Sequence, residues 1–225
     1  MNSAIIVAAG SGTRMGADVD KLFLKISGCP VVGHTWLLYD GLECIDEIIL
    51  VVRLERESEF KNLAGSLSVK KSFRIVNGGN VRQDSVWNGL GVVSNNTDVV
   101  VIHDGARPCT DRSLIRQTVE AAFKKGAAVA ATRVTDTIKE SDGAGYIIRN
   151  LDRENLRAVQ TPQAFRVDVI RRALAFVREK RLQVTDDTAA CEYIEQSVVL
   201  VESDLPNPKV TCPADLMYVE SLLSA

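Results

Sequence analysis

The chain alternates short runs of consecutive apolar residues with longer segments whose apolar positions recur at helical spacing. Ala4-Ile5-Ile6-Val7-Ala8-Ala9, Glu47 to Val52, Phe73 to Val76, Asp98 to Ile102 and Ala127 to Thr132 read as strands. Between them, Val31 to Leu42, Ser85 to Val93 and Ser113 to Lys125 read as helices. Strands this apolar are expected where both faces of a sheet are covered. The rhythm predicts an α/β fold, a Rossmann-like and mostly parallel sheet with helices on both faces. Right-handed crossovers collect the strand-end loops on one edge, where such sheets take their ligands.

The rhythm breaks between about Val134 and Phe165. Thr137 to Glu140 and Tyr146 to Arg149 flank the turn signal Asp142-Gly143-Ala144-Gly145. A hairpin so polar has little apolar face to bury and is expected to protrude. Isolated hairpins are marginal in water, so this arm, residues 134–165, is expected to pack on a second copy as a homodimer. Beyond it, Val169 to Glu179 reads as a helix and Ser197 to Val201 as a late strand. Pro213 opens the last helix, where its missing N–H costs nothing. With no repeat, low-complexity tract or linker, residues 1–225 are expected to form one domain carrying that arm.

The first strand runs into Gly10-Ser11-Gly12-Thr13-Arg14-Met15-Gly16, with Lys21 shortly after. Small residues there let backbone N–H groups approach a ligand, and those groups prefer anions. Arg14 and Lys21 add mobile positive charge, which favours an anion site over a plain strand-to-helix turn. The loop is neither a P-loop nor the G-x-G-x-x-G dinucleotide fingerprint. The third strand ends in Gly78-Gly79-Asn80-Val81-Arg82-Gln83-Asp84-Ser85, and the fourth in His103-Asp104-Gly105-Ala106-Arg107-Pro108. Three strands thus end in small residues followed by Arg14, Arg82 or Arg107, a recurrence that turn chemistry alone does not explain. An acidic residue where a buried strand ends, as at Asp104, can hold a divalent cation on bound phosphates, although a helix cap would also account for it. Ser85 reads as a helix cap or a ligand contact. His103 reads as a packed, hydrogen-bonded residue. Asp186-Asp187 could be paired catalytic carboxylates or a metal site, and an acid-rich helix start explains them equally well.

Twenty-seven basic residues against 29 acidic ones give no support for a nucleic-acid footprint, so anions must be met by locally clustered Arg and Lys. No apolar run reaches bilayer length. With the first strand starting at about residue 4, no signal or transit peptide is expected. Cys29, Cys44, Cys109, Cys191 and Cys212 lack C-x-x-C or zinc spacing and read as free thiols. A cytoplasmic protein is expected. With two histidines and no nucleophile elbow, no Ser-His-Asp or Cys-His system can be assembled.

Over nearly its whole length the chain resembles the 2-C-methyl-D-erythritol 4-phosphate cytidylyltransferases of the non-mevalonate isoprenoid pathway. The resemblance rests on Ala8-Ala9-Gly10-Ser11-Gly12-Thr13-Arg14-Met15, Lys21, Gly78-Gly79, Arg82, Asp84-Ser85-Val86 and Asn88-Gly89-Leu90. It continues through His103 to Pro108, Asp136 to Lys139, Gln160 to Phe165, Thr185-Asp186-Asp187 and Lys209-Val210-Thr211. It implies a nucleotide-diphospho-sugar transferase-like fold and direct attack of a polyol phosphate on the α-phosphorus of CTP, with Mg²⁺ and release of pyrophosphate. By the same resemblance, Arg14 and Lys21 would be catalytic. Ala8, Ala9, Gly10, Ser11, Gly12, Gly79, Asn80, Ser85, Gly105 and Arg107 would surround the nucleotide, and Asp104 would serve the metal. Thr137, Arg153, Thr185 and Lys209 would hold methylerythritol phosphate, some reaching across the dimer. One departure stands out: the family commonly carries an acidic residue where this chain has Asn80, which bears on cytosine selectivity. A ribitol 5-phosphate cytidylyltransferase is the nearest alternative. A nucleotide-sugar glycosyltransferase would need a D-x-D motif, which His103-Asp104-Gly105 is not. A nucleotide-sensing module without catalysis is disfavoured by the presence of both Arg14 and Lys21.

Overall fold

The computed structural model describes residues 1–10 and 20–224, so the readings for Ser11, Gly12 and Arg14 lie outside the described residues. Seven strands form the central sheet: β1 (Asn2–Ala8), β4 (Glu47–Val52), β5 (Ser72–Asn77), β6 (Val99–Asp104), β7 (Ala127–Arg133), β10 (Arg157–Arg166) and β11 (Val199–Glu202). Their order is β11-β7-β10-β6-β1-β4-β5. All neighbouring pairs are parallel except those made by β10, which runs antiparallel to both β6 and β7. Two short strands, β2 (Lys25–Ile26) and β3 (Cys29–Pro30), pair with each other outside this sheet.

The period of two along each strand divides the core into two layers. In β1, Ala4, Ile6 and Ala8 face one layer and Ile5 the other. The first layer is closed by α1 (Val31–Asp40), α2 (Glu57–Leu67), α4 (Arg112–Lys125) and α7 (Ala214–Leu223), which contribute Trp36, Phe60, Ile115 and Val219. The second is closed by α3 (Arg82–Leu90), α5 (Val167–Glu179) and α6 (Asp187–Glu192), through Val86, Ile170 and Ala190. Ala190 apart, each of these buried side chains contributes roughly 1.5–3 kcal/mol of transfer free energy. The α4 boundaries have local causes. Asp111 accepts from the N–H groups of Ser113 and Leu114 at the start, and Gly126 ends the helix at φ 96°, a conformation that favours glycine.

The α/β architecture follows the expected pattern, with three differences. The break at 134–165 is not one element. Only β8 (Lys139–Ser141) and β9 (Ile147–Asn150) form the exposed hairpin, whereas β10 lies within the main sheet, pairing Gln163 with Ile102 and with Val129. The arm is therefore narrower than 134–165. The polar run Gln160-Thr161-Pro162-Gln163 hid β10, because Thr161 and Gln163 are buried polar residues in a strand that bulges between Val159 and Gln163. Helix α3 begins at Arg82 rather than Ser85, and the helices α2 and α6 lack the long apolar runs that marked the others.

Candidate active site

Strands β4 and β5 lie on one side of β1 and β6 on the other, so the carboxyl ends of β1 and β6 form a topological switch point. A cavity of about 350 Å³ opens there. It is lined by Val7 to Gly10 after β1, by Gly79 to Arg82 and Ser85 around the start of α3, and by Asp104 to Ala106 after β6. Lys21, Leu22 and Lys209 complete the lining among the described residues.

Close approach explains the small residues. A Cβ on Gly79 would sit 2.2 Å from the Asp84 Cβ, and one on Gly78 would sit 2.4 Å from the Ala9 Cβ. A side chain on Gly78 would push the walls after β1 and β5 apart, and one on Gly79 would lift its loop off α3. Ser85 is not a helix cap: it lies inside α3, where its hydroxyl donates to Val81 O and accepts from the Gly79 N–H at 3.1 Å. It thus pins the glycine loop to the helix beneath it. Gly105 N–H donates to Val7 O at 3.0 Å, which locks the walls after β1 and β6 together.

Asp104 is the electrostatic centre. Its carboxylate lies 2.9 Å from Lys209 Nζ, 3.4 Å from Arg107 Nε and 3.9 Å from Arg82 Nε. Burial opposes its ionisation, but Lys209, Arg82 and Arg107 outweigh that cost and hold the carboxyl down at about 2. It is therefore an anion throughout the physiological range and a weak base. The helix-cap reading of Asp104 is excluded, because it ends β6 and its carboxylate is taken up by cations.

The expected site residues are partly assembled. Ala8, Ala9, Gly10, Lys21, Gly79, Asn80, Ser85, Asp104, Gly105 and Lys209 meet at the cavity. Lys21 is buried and its Nζ donates to Val210 O at 2.8 Å. Arg107 departs from expectation: it does not line the cavity but turns inward, donating to Asn207 O at 2.5 Å and to Asp104. Burial drives its pKa down, and its geometry is that of a brace. Thr137, Arg153 and Thr185 are exposed and do not line the cavity of this single chain; Arg153 donates to Thr135 O at 2.6 Å. His103 is fully buried, with Nε2 3.2 Å from Arg107 O, and burial pushes its pKa down to about 4. It is a packed residue, as its isolation in the sequence suggested. Asp186 caps α6 by accepting from the Ala189 N–H. No cluster of three or more His, Cys, Asp or Glu side chains suited to a metal occurs among the described residues, and the five cysteines are free.

Sequence reasoning left out Arg82 and Asp187 as a pair. Arg82 Nη1 donates to Asp187 Oδ2 at 2.7 Å, although the two residues are far apart in the chain. The only sequence signal was the repeated arginine after small residues.

The family model of IspD, 2-C-methyl-D-erythritol 4-phosphate cytidylyltransferase, matches residues 2–225. A protein of that name from Pelotomaculum thermopropionicum is 39% identical over 99% of this chain and 94% of its own. One from Alkaliphilus oremlandii is 40% identical over 98% of this chain and 94% of its own. Among solved structures, the 4-diphosphocytidyl-2C-methyl-D-erythritol synthase of Anaerococcus prevotii superposes with a TM-score of 0.89 at 30% identity, covering 100% of this chain and 96% of that one. The Thermus thermophilus 2-C-methyl-D-erythritol 4-phosphate cytidylyltransferase gives 0.81 at 30% identity, with both chains fully covered. A nucleotide-sized cavity at the switch point, ringed by cations, and agreement along the whole chain lead to one conclusion: the chain belongs to the IspD family of cytidylyltransferases.

Proposed function

We propose that this enzyme joins CTP to 2-C-methyl-D-erythritol 4-phosphate, releasing pyrophosphate and forming 4-diphosphocytidyl-2-C-methyl-D-erythritol for isoprenoid precursor synthesis. The observation that carries the reading is the buried Asp104 carboxylate ringed by Lys209, Arg82 and Arg107 in a cavity that Lys21 also lines. Attacker and leaving group both carry phosphate charge, and a monoester contributes about −1.5 to −2 near neutral pH. The barrier is then mainly repulsion and misalignment, which fixed cations and close walls reduce. The attacking oxygen is already ionised, so no general base is needed. That agrees with a site whose one nearby histidine is buried and hydrogen-bonded, and whose carboxylate stays ionised down to about pH 2.

In this reading, Arg14 and Lys21 balance charge on the phosphates as the bond to pyrophosphate breaks. The glycine loops of β1 and β5 receive the nucleotide, with Asn80 and Ser85 beside the base or ribose. Lys209 faces the polyol phosphate. Thr185, Thr137 and Arg153 would complete that subsite, the last two from the arm of a second copy. Tyr146 and Ile147 on the hairpin are 74% and 67% exposed, which supports a homodimer built on this arm. The donor set also suits Mg²⁺, since this ion binds through one or two carboxylates with substrate phosphates supplying further oxygens, and Asp104 is an ionised, cavity-lining carboxylate. Bound to Asp104, Mg²⁺ would neutralise and orient phosphate oxygens. Among the described residues no helix is long and apolar enough to cross a membrane, which agrees with a cytoplasmic enzyme.

The relatives' names favour methylerythritol phosphate over ribitol 5-phosphate. The test is pyrophosphate release with CTP and Mg²⁺, offering each polyol phosphate in turn. Faster turnover with methylerythritol phosphate is expected; equal rates would remove the pathway assignment.

A further inference from the structure

Asp187 is fully buried, and one carboxylate oxygen, Oδ1, accepts no hydrogen bond from the described residues. Burial pushes its pKa up against the pull of Arg82. Burying a carboxylate with a single cationic partner costs several kcal/mol and is often no better for stability than an apolar replacement. A fold that keeps such a group needs it for something other than packing.

What Asp187 holds is the guanidinium of Arg82, a cavity-lining residue. That guanidinium is bracketed. Nη1 meets Asp187 Oδ2 at 2.7 Å and Nε faces Asp104 Oδ1 at 3.9 Å, while Nη2 donates to none of the described residues. Both residues that bracket it are anchored through their backbone by strand β10. The Asp104 N–H donates to Thr161 Oγ1 at 3.1 Å, and the Asp187 N–H donates to Gln163 Oε1 at 3.1 Å. Gln163 in turn donates to Asp186 Oδ2 at 2.9 Å, docking the start of α6 on the sheet. An arginine held by one nitrogen, with a second aimed past a carboxylate and others unspent, suits phosphate oxygens.

We propose that Arg82 is a phosphate-binding cation of this site and that Asp187 is its positioning residue, acting only through Arg82. The proposal rests on the cytidylyl-transfer reading above. Without Asp187 the long side chain samples other rotamers and collapses toward Asp104, withdrawing charge from the substrates.

The experiment compares four proteins, wild type, Asp187→Asn, Arg82→Met and Arg82→Met/Asp187→Leu, in pyrophosphate release, with melting temperatures measured alongside. If the wild type does not turn over, the cytidylyl-transfer reading fails, which is a different result from failure of this inference. With an active wild type, Asp187→Asn is expected to lower kcat/KM by about 10- to 100-fold, as for a displaced catalytic group. Arg82→Met and the double variant should lose activity equally, within about threefold, with the double variant the more stable of the two because it buries no unpaired charge. A rise in KM for CTP alone would assign Arg82 to the triphosphate, and a rise for methylerythritol phosphate alone to the monoester. Wild-type kcat/KM in folded Asp187→Asn would overturn the proposal. So would a double variant much less active than Arg82→Met. If Asp187→Asn fails to fold, the comparison of Arg82→Met with the double variant still decides.

Discussion

Lys209 Nζ lies 2.9 Å from Asp104 Oδ2, so a loop close to the end of the chain supplies the nearest counter-ion to a carboxylate at the end of a central strand. The neighbouring Val210 binds both sides of the same cavity. Its N–H donates to Ala106 O, and its carbonyl accepts from Lys21 Nζ. One short segment therefore sets two lysines and one acidic residue against each other.

The two lysines should separate by kinetics. Lys21→Ala is expected to lower kcat by about 100-fold or more while CTP still binds, since charge developing on the leaving phosphates is met only in the transition state. Lys209→Ala should instead raise KM for the polyol phosphate. Steady-state pyrophosphate release combined with CTP calorimetry checks both; near-normal turnover of Lys21→Ala would remove that residue from the mechanism.

Asn80 lines the cavity beside Gly79. Its amide can donate to the 4-oxo group of uracil as readily as it accepts from the 4-amino group of cytosine. A carboxylate can only accept. Asn80→Asp is therefore expected to raise the CTP-to-UTP ratio of kcat/KM by roughly 10-fold, because uracil would leave the carboxylate facing an acceptor. Competition assays with both nucleotides read this directly, and an unchanged ratio would place Asn80 away from the base.

The hairpin carries Tyr146, Ile147 and Ile148 outward, all exposed in the single chain. Replacing Ile147 and Ile148 together by Asp should yield a folded monomer in sedimentation, with activity reduced by at least about 10-fold if Arg153 and Thr137 serve the partner's cavity. Wild type sedimenting as a monomer at micromolar concentration would contradict the dimer itself.

Acid should weaken the fold in a defined window. His103 is held neutral by burial, its pKa depressed from 6.5 to about 4. Between those values the unfolded chain binds a proton that the folded chain refuses, so stability falls as pH drops from about 6.5 to 4, by roughly 3 kcal/mol in all. Below that window Asp104, depressed from 3.8 to about 2, acts with the same sign. Urea midpoints should therefore decline between pH 7 and 5. His103→Gln, whose amide can still donate to Arg107 O but does not titrate there, should flatten that decline. An equal slope in both proteins would mean that His103 is not the group responsible.

The sequence by itself determined the alternation of apolar strands and amphipathic helices, and hence a parallel sheet with its ligand edge at the strand ends. Buried parallel strands read as nearly continuous apolar runs, as Ile48 to Val52 in β4 and Val99 to Ile102 in β6 do, and that pattern is local and legible. The glycine-and-cation loops were legible for a similar reason, since Gly78 and Gly79 stand where a Cβ would collide with Ala9 or Asp84. Only the tertiary structure decided where β10 goes, that Arg107 turns inward to Asn207, and that Asp187 reaches Arg82. Buried polar residues become recognisable when their partners arrive from distant segments, because a lone Thr161, Gln163 or Asp187 looks in sequence like any solvated residue. The core was written in periodicity. The charge arrangement of the site exists only once the chain has closed on itself.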